Sequence, residues 1–171
     1  MIPKVEVRLG GPSDFADYLQ IKSSLEDMYW MGFDKSPEPE KLKEIYLNRI
    51  HSAQLTKNND KAIFIIRYYN DNSKLNVGYI QAILNNGEIE LGYSVLKEYQ
   101  NLGISTEALK QIIKLYDQKN IQIIAKIRDD NIASQKCALK LNFIKTNDCQ
   151  KIDYPIVGDI LLRRYLYLPG S

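Results

Sequence analysis

The junction between Val95 and Thr106 has the residue types and spacing expected of a phosphate-binding loop. A strand-like pattern ends at Leu96, and a helical pattern begins after Gly103. A helix start presents unpaired backbone N–H groups and the positive end of the helix dipole, and both favour a phosphate. Gly103 allows a close backbone approach or a positive φ, and Ser105 is small and can donate a hydrogen bond. The alternative is an ordinary turn with a helix-capping glycine, and the loop alone does not decide between the two.

Three consecutive strand-like segments lead into this loop: KAIFIIRYY, LNVGYIQAIL and EIELGYSVL. The turn signals NDNS and Asn85-Asn86-Gly87 separate them, and Asn-Gly is a strong short-range signal for a hairpin. An antiparallel meander is therefore predicted. The whole chain is predicted to run as a strand, two helices, three antiparallel strands, a helix, a strand, a helix and two strands. This order indicates an α/β domain around a central mixed sheet.

Four helices are predicted from capping residues and apolar spacing. Ser13-Asp14 is expected to cap one helix running toward Met28, and a second is expected to begin at Pro37 or Pro39. The helix after the loop has an apolar face made of Ala108, Leu109, Ile112, Ile113 and Tyr116. The last helix, capped by Asp130 or Asn131, has a predicted buried stripe of Ala133, Cys137 and Leu141. The strands FIKT and DILLRRYLYL follow it.

The composition indicates one soluble domain spanning residues 1–171. The formal net charge is only +2, which gives no electrostatic case for a nucleic-acid partner. Cys137 and Cys149 lack metal spacing, and His51 is the single histidine, so we expect no metal site. No apolar run approaches the roughly 20 residues of a membrane span, and the opening MIPKVEVRLGG has no signal-peptide core. We therefore expect a cytoplasmic protein with no membrane partner.

Three segments resemble the GNAT superfamily of N-acetyltransferases. The run Gln100-x-x-Gly103-x-Ser105 is similar to its pyrophosphate loop, with serine where glycine or alanine is usual. Upstream, Glu90–Leu96 resembles the family's fourth strand, especially in the branch that acetylates ribosomal-protein N-termini and small amines. Downstream, Asn131-x-x-Ser134 and Leu141-Asn142-Phe143 resemble the second cofactor segment, with Asn142 in place of the usual glycine. Asn tolerates the left-handed helix-ending conformation, so that substitution is physically mild.

The resemblance implies a GNAT-like fold, a mixed and mainly antiparallel sheet flanked by helices, that binds acetyl-CoA without a metal. In the family, the fourth strand separates from the next, and the pantetheine arm pairs with its exposed backbone. Val95 and Leu96 occupy the matching positions, and their N–H groups could polarise the thioester carbonyl. Asn131 and Ser134 would contact the pantetheine or acyl end from the other side. The pyrophosphate would lie on Gln100, Asn101, Leu102, Gly103, Ile104 and Ser105.

The implied reaction is direct acetyl transfer to an amine in a ternary complex. A protonated amine cannot attack, so a base must take a proton directly or through water. Glu90 is the candidate base, and the alternative is a solvated carboxylate that shares its face with Glu88. Many family members use a tyrosine as the proton donor to the thiolate, but that position here is Ala138. Ser134, water or the ammonium proton could replace it, while Cys137 fits a core residue better than a nucleophile.

Two acceptor classes stay open, a small amine such as an amino sugar or polyamine, and a protein N-terminus. Tyr29, Trp30 and Phe33 lie where the family has its acceptor-side loop, and they could grip an acceptor or anchor the loop on the core. Nearby acids could attract a cation; they are Asp27, Asp34, Glu38 and Glu40. A catalytically silent acyl-CoA-binding sensor is the alternative function, since the tyrosine is missing. The resemblance leaves both a monomer and a homodimer open.

Overall fold

The computed structural model describes residues 1–170, which form seven strands and five α-helices. The strands are β1 (Val5–Leu9), β2 (Lys61–Asn70), β3 (Ser73–Asn85), β4 (Glu88–Val95), β5 (Gln122–Arg128), β6 (Phe143–Tyr154) and β7 (Gly158–Tyr167). The helices are α1 (Phe15–Lys22), α2 (Leu25–Met31), α3 (Pro39–Asn48), α4 (Ile104–Asp117) and α5 (Ile132–Lys140). The longest described helix, α4, has 14 residues, and none in residues 1–170 is long and apolar enough to cross a membrane.

The strands form one sheet in the order β1-β2-β3-β4-β5-β7-β6. Only β4 and β5 are parallel neighbours within residues 1–170, and the other pairs are antiparallel. The prediction of a mixed, mainly antiparallel sheet is thus confirmed, as is the meander of β2, β3 and β4. Asn86 and Gly87 form the tight turn between β3 and β4, with φ of 51° and 79°, the left-handed values that an Asn-Gly turn requires.

The two faces of the sheet pack against different helices. On one face, the central strands pack against α4 and α5, and every apolar position predicted for α4 is buried. On the other face, Tyr18 of α1 and Tyr46 of α3 pack against Ile63 and Tyr79 of the sheet. The two faces of β4 therefore lie in different environments. The direction of each β4 side chain decides which of these environments it faces.

The single helix predicted to run toward Met28 is wrong, because the structure contains two helices, α1 and α2, in that region. Ser24 interrupts the helix with an extended backbone (φ −68°, ψ 143°). Its hydroxyl accepts the Asp27 N–H at 3.2 Å and donates to the Ile21 carbonyl at 2.7 Å. A serine side chain that bonds to nearby backbone groups competes with helical hydrogen bonds, so Ser24 starts a new helix.

Two details of the C-terminal third also differ from the prediction. In α5, Ala133 is exposed and Ala138 is buried, so the buried stripe passes through Cys137, Ala138 and Leu141. Strand β6 continues to Tyr154 instead of ending with FIKT. Its pairing with β7 is irregular between Lys145 and Cys149, and this bulge accommodates Thr146, Asn147 and Asp148 within the strand.

Candidate active site

A gap opens between β4 and β5, the parallel pair at the centre of the sheet. These strands pair at three positions, the last of which joins Glu90 to Ile124. From Ile124 to Arg128, β5 pairs with β7 on its other side, while β4 continues to Val95 paired with β3. Within residues 1–170, the edge of β4 after Glu90 has no strand partner on the β5 side. An extended ligand can therefore pair with this edge.

Backbone N–H groups of β4 point into the gap at alternate residues. Leu96 N–H donates to the Val77 carbonyl on β3 at 2.9 Å. Because consecutive strand residues direct their backbone groups to opposite sides, the N–H groups of Tyr93 and Val95 point away from β3. The Leu96 carbonyl accepts the Tyr99 N–H at 2.9 Å, so both backbone groups of Leu96 are used within the protein. Of the two expected residues, only Val95 presents its amide to the gap.

The loop expected to bind phosphate lies at the end of β4. The side-chain amide of Gln100 donates to the Val95 carbonyl at 3.0 Å, which ties the loop to the strand. Asn101 and Gly103 have left-handed backbones, with φ of 61° and 78°. Asn101, Leu102 and Gly103 are exposed. The chain therefore turns sharply and leaves an open surface directly before α4.

The first turn of α4 presents backbone donors at this surface. Glu107 N–H bonds to the Gly103 carbonyl at 3.1 Å. The preceding N–H groups, those of Ile104, Ser105 and Thr106, lack a helical acceptor, as at any helix start, and no side chain of residues 1–170 caps the helix. The Ile104 side chain is buried and anchors the turn in the core. The loop and first turn thus have the geometry of an anion site.

Asn131 and Ser134 lie across the gap, at the start of α5. The Asn131 side-chain carbonyl accepts the Ser134 N–H at 3.1 Å, which confirms Asn131 as the helix cap. That oxygen is therefore occupied, and the amide nitrogen is the group that Asn131 can offer a ligand. The Ser134 hydroxyl accepts a hydrogen bond from the Tyr93 hydroxyl on β4 at 3.1 Å. The structure thus connects the two sides of the gap through side chains.

Tyr93 is the residue of this site that the sequence analysis missed. Its side chain lies on the α4/α5 face of β4 and packs against the main core. Burial raises the pKa of the Tyr93 phenol, and the neighbouring Cys137 raises it further. The one signal in the sequence was the position of Tyr93 between Leu91 and Val95, two buried residues on the same face of the strand. The pairing with Ser134, 41 residues away, could not be seen in the sequence.

Glu90 lies at the last paired position of β4 and β5, where the gap begins. Its carboxylate forms an ion pair with Lys126 at 2.9 Å, and the two side chains are 29% and 36% exposed. Glu88, on the same face of β4, is paired with Arg164. Since side chains alternate along a strand, Glu90 lies on the face opposite Tyr93. The structure therefore does not bring Glu90 and Ser134 together but sets them on opposite faces of the gap.

The face of β4 that carries Glu90 also has open space at Gly92. A Cβ atom added there would meet no atom of the described residues within 4 Å, whereas at Gly78 of β3 it would lie 2.4 Å from the Ser94 carbonyl oxygen. Gly92 therefore borders an unfilled volume next to the gap, on the side of the sheet covered by α1 and α3. An acceptor approaching from this side would reach the gap beside Glu90.

The residues of the expected acceptor-side loop are largely engaged within the protein. The buried Arg128 guanidinium lies 5.0 Å from the Tyr29 ring centroid and 4.9 Å from that of Trp30, and it donates to the Tyr29 carbonyl. This favours the anchoring role for these two rings. Phe33 is exposed.

The expectation that Asp27 attracts a cation from outside is wrong, because its side chain is fully buried. It is paired with Lys22 at 3.0 Å and accepts the Tyr79 hydroxyl at 2.8 Å. The other acids of this region are exposed; they are Asp34, Glu38 and Glu40. Among the described residues, no three His, Cys, Asp or Glu side chains are grouped to hold a metal ion.

Comparison with known sequences identifies one family. The profile of the acetyltransferase (GNAT) domain matches residues 5–144, which include the gap, the loop before α4 and the start of α5. No curated protein sequence gives a significant match to the chain.

Solved structures with the same fold include three acetyltransferases. A spermidine N-acetyltransferase from Vibrio cholerae, in complex with CoA and spermine, is 16% identical with a TM-score of 0.77, and the match covers 95% of each chain. An acetyltransferase from Salmonella typhimurium that modifies the N-terminal serine of ribosomal protein L7/L12 is 19% identical with a TM-score of 0.74, over 99% of each chain. An aminoglycoside acetyltransferase in complex with coenzyme A is 15% identical with a TM-score of 0.69, over 94% of each chain.

Proposed function

Because the chain belongs to the GNAT family of N-acetyltransferases, we propose that it transfers an acetyl group from acetyl-CoA to a primary amine. Transfer is direct, within a ternary complex, and residues 1–171 act as one N-acetyltransferase domain. The observation that carries this proposal is the gap after Glu90, with backbone donors along one edge. The donor-rich first turn of α4 lies at its end, and the start of α5 lies across it.

In this proposal, acetyl-CoA lies along β4 with its pantetheine arm extended in the gap. Val95 N–H pairs with the arm, while Leu96 contributes through its side chain because its backbone is already bonded. The negative pyrophosphate lies at the start of α4, where backbone N–H groups and the helix dipole favour it. Asn131 and Ser134 contact the arm or the acyl end from the α5 side. The pyrophosphate residues are Gln100, Asn101, Leu102, Gly103, Ile104 and Ser105.

The proposed chemistry uses both faces of the gap. The amine approaches on the Glu90 face, and Glu90 takes a proton from it directly or through water. A gap-facing N–H of β4 stabilises the thioester oxygen as it gains negative charge. The thiolate leaves on the face that carries Tyr93 and Ser134, and Ser134 is the candidate group to assist it.

Three carboxylates of this region have cationic partners within the protein. Asp27 is paired with Lys22, Glu88 with Arg164 and Glu90 with Lys126. Asp34, Glu38 and Glu40 are exposed and are available to a cationic acceptor, so a monoamine, an amino sugar, a polyamine and a protein N-terminus all stay candidates. The related structures include proteins that act on a polyamine and on a protein N-terminus, so the acceptor class must be tested directly.

Calorimetry with acetyl-CoA, followed by a thiol-release assay over a panel of amines, tests the proposal. The panel contains simple monoamines, an amino sugar, a polyamine and a peptide with a free N-terminus. Acetyl-CoA binding together with amine-dependent release of CoA supports the enzyme. Binding without turnover on any amine would instead support the catalytically silent acyl-CoA sensor, and absence of binding would overturn both functions.

A further inference from the structure

Two hydroxyl groups form a hydrogen bond beside the gap. Tyr93 belongs to β4, and Ser134 belongs to the first turn of α5, the helix that follows β5. The Tyr93 hydroxyl donates to Ser134 Oγ at 3.1 Å. The bond therefore runs from one side of the gap to the other, on the face covered by α4 and α5. A ligand extended in the gap would lie next to it.

This bond leaves the proton of Ser134 free for a ligand. A serine hydroxyl donates one hydrogen bond and accepts two. Ser134 Oγ accepts from Tyr93, and within residues 1–170 its own proton has no acceptor. The backbone of Ser134 is held by the cap of Asn131, whose side chain accepts the Ser134 N–H at 3.1 Å. The half-buried hydroxyl thus has a fixed position and an unused donor.

The surroundings of Tyr93 keep it a donor. Its ring packs against the buried core with Cys137 as a neighbour. Burial disfavours the charged phenolate, so the phenol retains its proton at neutral pH. Cys137 Sγ lies 3.5 Å from Thr106 Oγ1, so this thiol has another polar neighbour. The Tyr93 phenol therefore stays protonated and donates to Ser134 Oγ.

We infer that Tyr93 is a positioning residue, which directs the Ser134 hydroxyl toward the sulfur of bound acetyl-CoA. The inference rests on the proposed function, because the sulfur belongs to the proposed cosubstrate. As the amine nitrogen bonds to the carbonyl carbon, the C–S bond breaks and its electron pair passes to sulfur. Ser134 donates a hydrogen bond to this sulfur and keeps its own proton, because an alkoxide is far more basic than a thiolate. The proton that completes the thiol comes from the attacking amine.

A chain of two hydroxyls explains how the site works with Ala138 in the position of the usual tyrosine. A hydroxyl that accepts one hydrogen bond becomes a stronger donor in the next. The Tyr93 hydroxyl therefore polarises the Ser134 O–H bond and fixes its direction more consistently than a solvent molecule would. The tyrosine comes from β4 and acts through Ser134, instead of coming from α5 and contacting sulfur directly.

The ionisation of bound CoA tests this inference without any acceptor amine. The thiolate has its own ultraviolet absorbance, so the bound thiol can be titrated in wild-type protein, Tyr93→Phe, Ser134→Ala and the double variant. A hydroxyl that donates to sulfur stabilises the thiolate, so we expect each single variant to lower the ionisation constant of the bound thiol about fivefold. The double variant should match Ser134→Ala. Tyr68→Phe is the control, since Tyr68 also packs against the core but does not contact Ser134.

Steady-state kinetics gives the second readout once an acceptor is known. Tyr93→Phe should lower kcat several-fold, leave the KM for acetyl-CoA unchanged and have no further effect in a Ser134→Ala background. An effect of Tyr93→Phe that persists in that background would overturn the inference. A wild-type ionisation constant in both single variants that bind CoA would also overturn it, while leaving the proposed function intact. Failure of wild-type protein to bind CoA would overturn the proposed function and this inference with it.

Discussion

The Lys126 ammonium lies 2.9 Å from the Glu90 carboxylate at the point where β4 and β5 separate. Both side chains are about one-third exposed, and exposed ion pairs of this kind contribute only ~0–1 kcal/mol to stability. An incoming ammonium group can therefore replace Lys126 at small cost. The ion pair with Lys126 holds the Glu90 carboxylate beside the gap and leaves it accessible to an acceptor.

The first prediction concerns Glu90 as the base. Glu90→Gln should lower the turnover of the true acceptor about 10²- to 10⁴-fold, the usual contribution of a positioned base. Acetyl-CoA binding should stay unchanged, because Glu90 lies before the edge of β4 that faces the gap. Raising the pH should partly restore the rate, since the solution then supplies more free amine. Rate measurements across pH with a saturating acceptor check this.

Glu88→Gln is the matched control, because Glu88 shares the face of Glu90 and is likewise ion-paired, with Arg164. It should reduce turnover by less than threefold. Near-wild-type turnover of Glu90→Gln would remove Glu90 from the mechanism and favour a water chain. Loss of acetyl-CoA binding would point to a structural role in the sheet.

A second prediction concerns the loop before α4. Gly103 has φ of 78°, so Gly103→Val introduces a β-branched side chain where the backbone is left-handed and the surface is open. Acetyl-CoA binding should weaken by more than about tenfold, or ~1.4 kcal/mol. Gly158→Val is the control, since Gly158 has φ of 72° and belongs to β7, away from the loop. Both variants should lose similar stability, and calorimetry should find weakened binding only for Gly103→Val.

The sequence predicted the parts of the fold that depend on local patterns. The apolar face of α4, the Asn86-Gly87 turn and the helix start after Gly103 are set by residues close together in the chain. Asn131 was one of two expected caps, and its side chain makes the capping bond. These features need no knowledge of distant partners.

The features that the sequence did not reveal depend on contacts between distant segments. The bond of Tyr93 to Ser134 spans 41 residues, and the burial of Asp27 depends on Tyr79, 52 residues away. The helix break at Ser24 depends on nearby residues, but Ser23 and Ser24 are compatible with the interior of an amphipathic helix as well as with a helix cap. The packing of helices on the sheet decides the contacts of Tyr93 and Asp27, and the periodicity of the sequence does not encode it.

The third prediction separates a core role of Cys137 from a nucleophilic one. Cys137 is buried against Ala138 and Leu141 in the main core, so Cys137→Ala should retain most turnover and lose about 1 kcal/mol of stability. Cys149→Ala is the control, because Cys149 is exposed and its loss should not change stability. Chemical denaturation and turnover of both variants check this. A folded, CoA-binding Cys137→Ala protein without turnover would favour an acyl-cysteine intermediate over direct transfer.

The last prediction concerns acid stability at the other end of the sheet, where Arg8 donates two hydrogen bonds to the buried Asp14 carboxylate at 2.8 and 2.6 Å. Burial alone would raise the pKa of Asp14, but the bonds from Arg8 and from the Gly11 N–H outweigh it and hold the pKa below its usual value. A lowered pKa in the folded state stabilises the protein at pH values above the unfolded-state pKa of about 3.9, and this contribution is lost as the pH falls through the folded-state pKa.

Asp14→Asn should therefore cost about 2 kcal/mol of stability at pH 7, with a difference from wild type that shrinks below about pH 4. Urea denaturation across this range checks it, with the exposed Asp148→Asn as control. A difference that stays constant down to pH 3 would mean that lost packing or hydrogen bonding, and not the carboxylate charge, accounts for the effect.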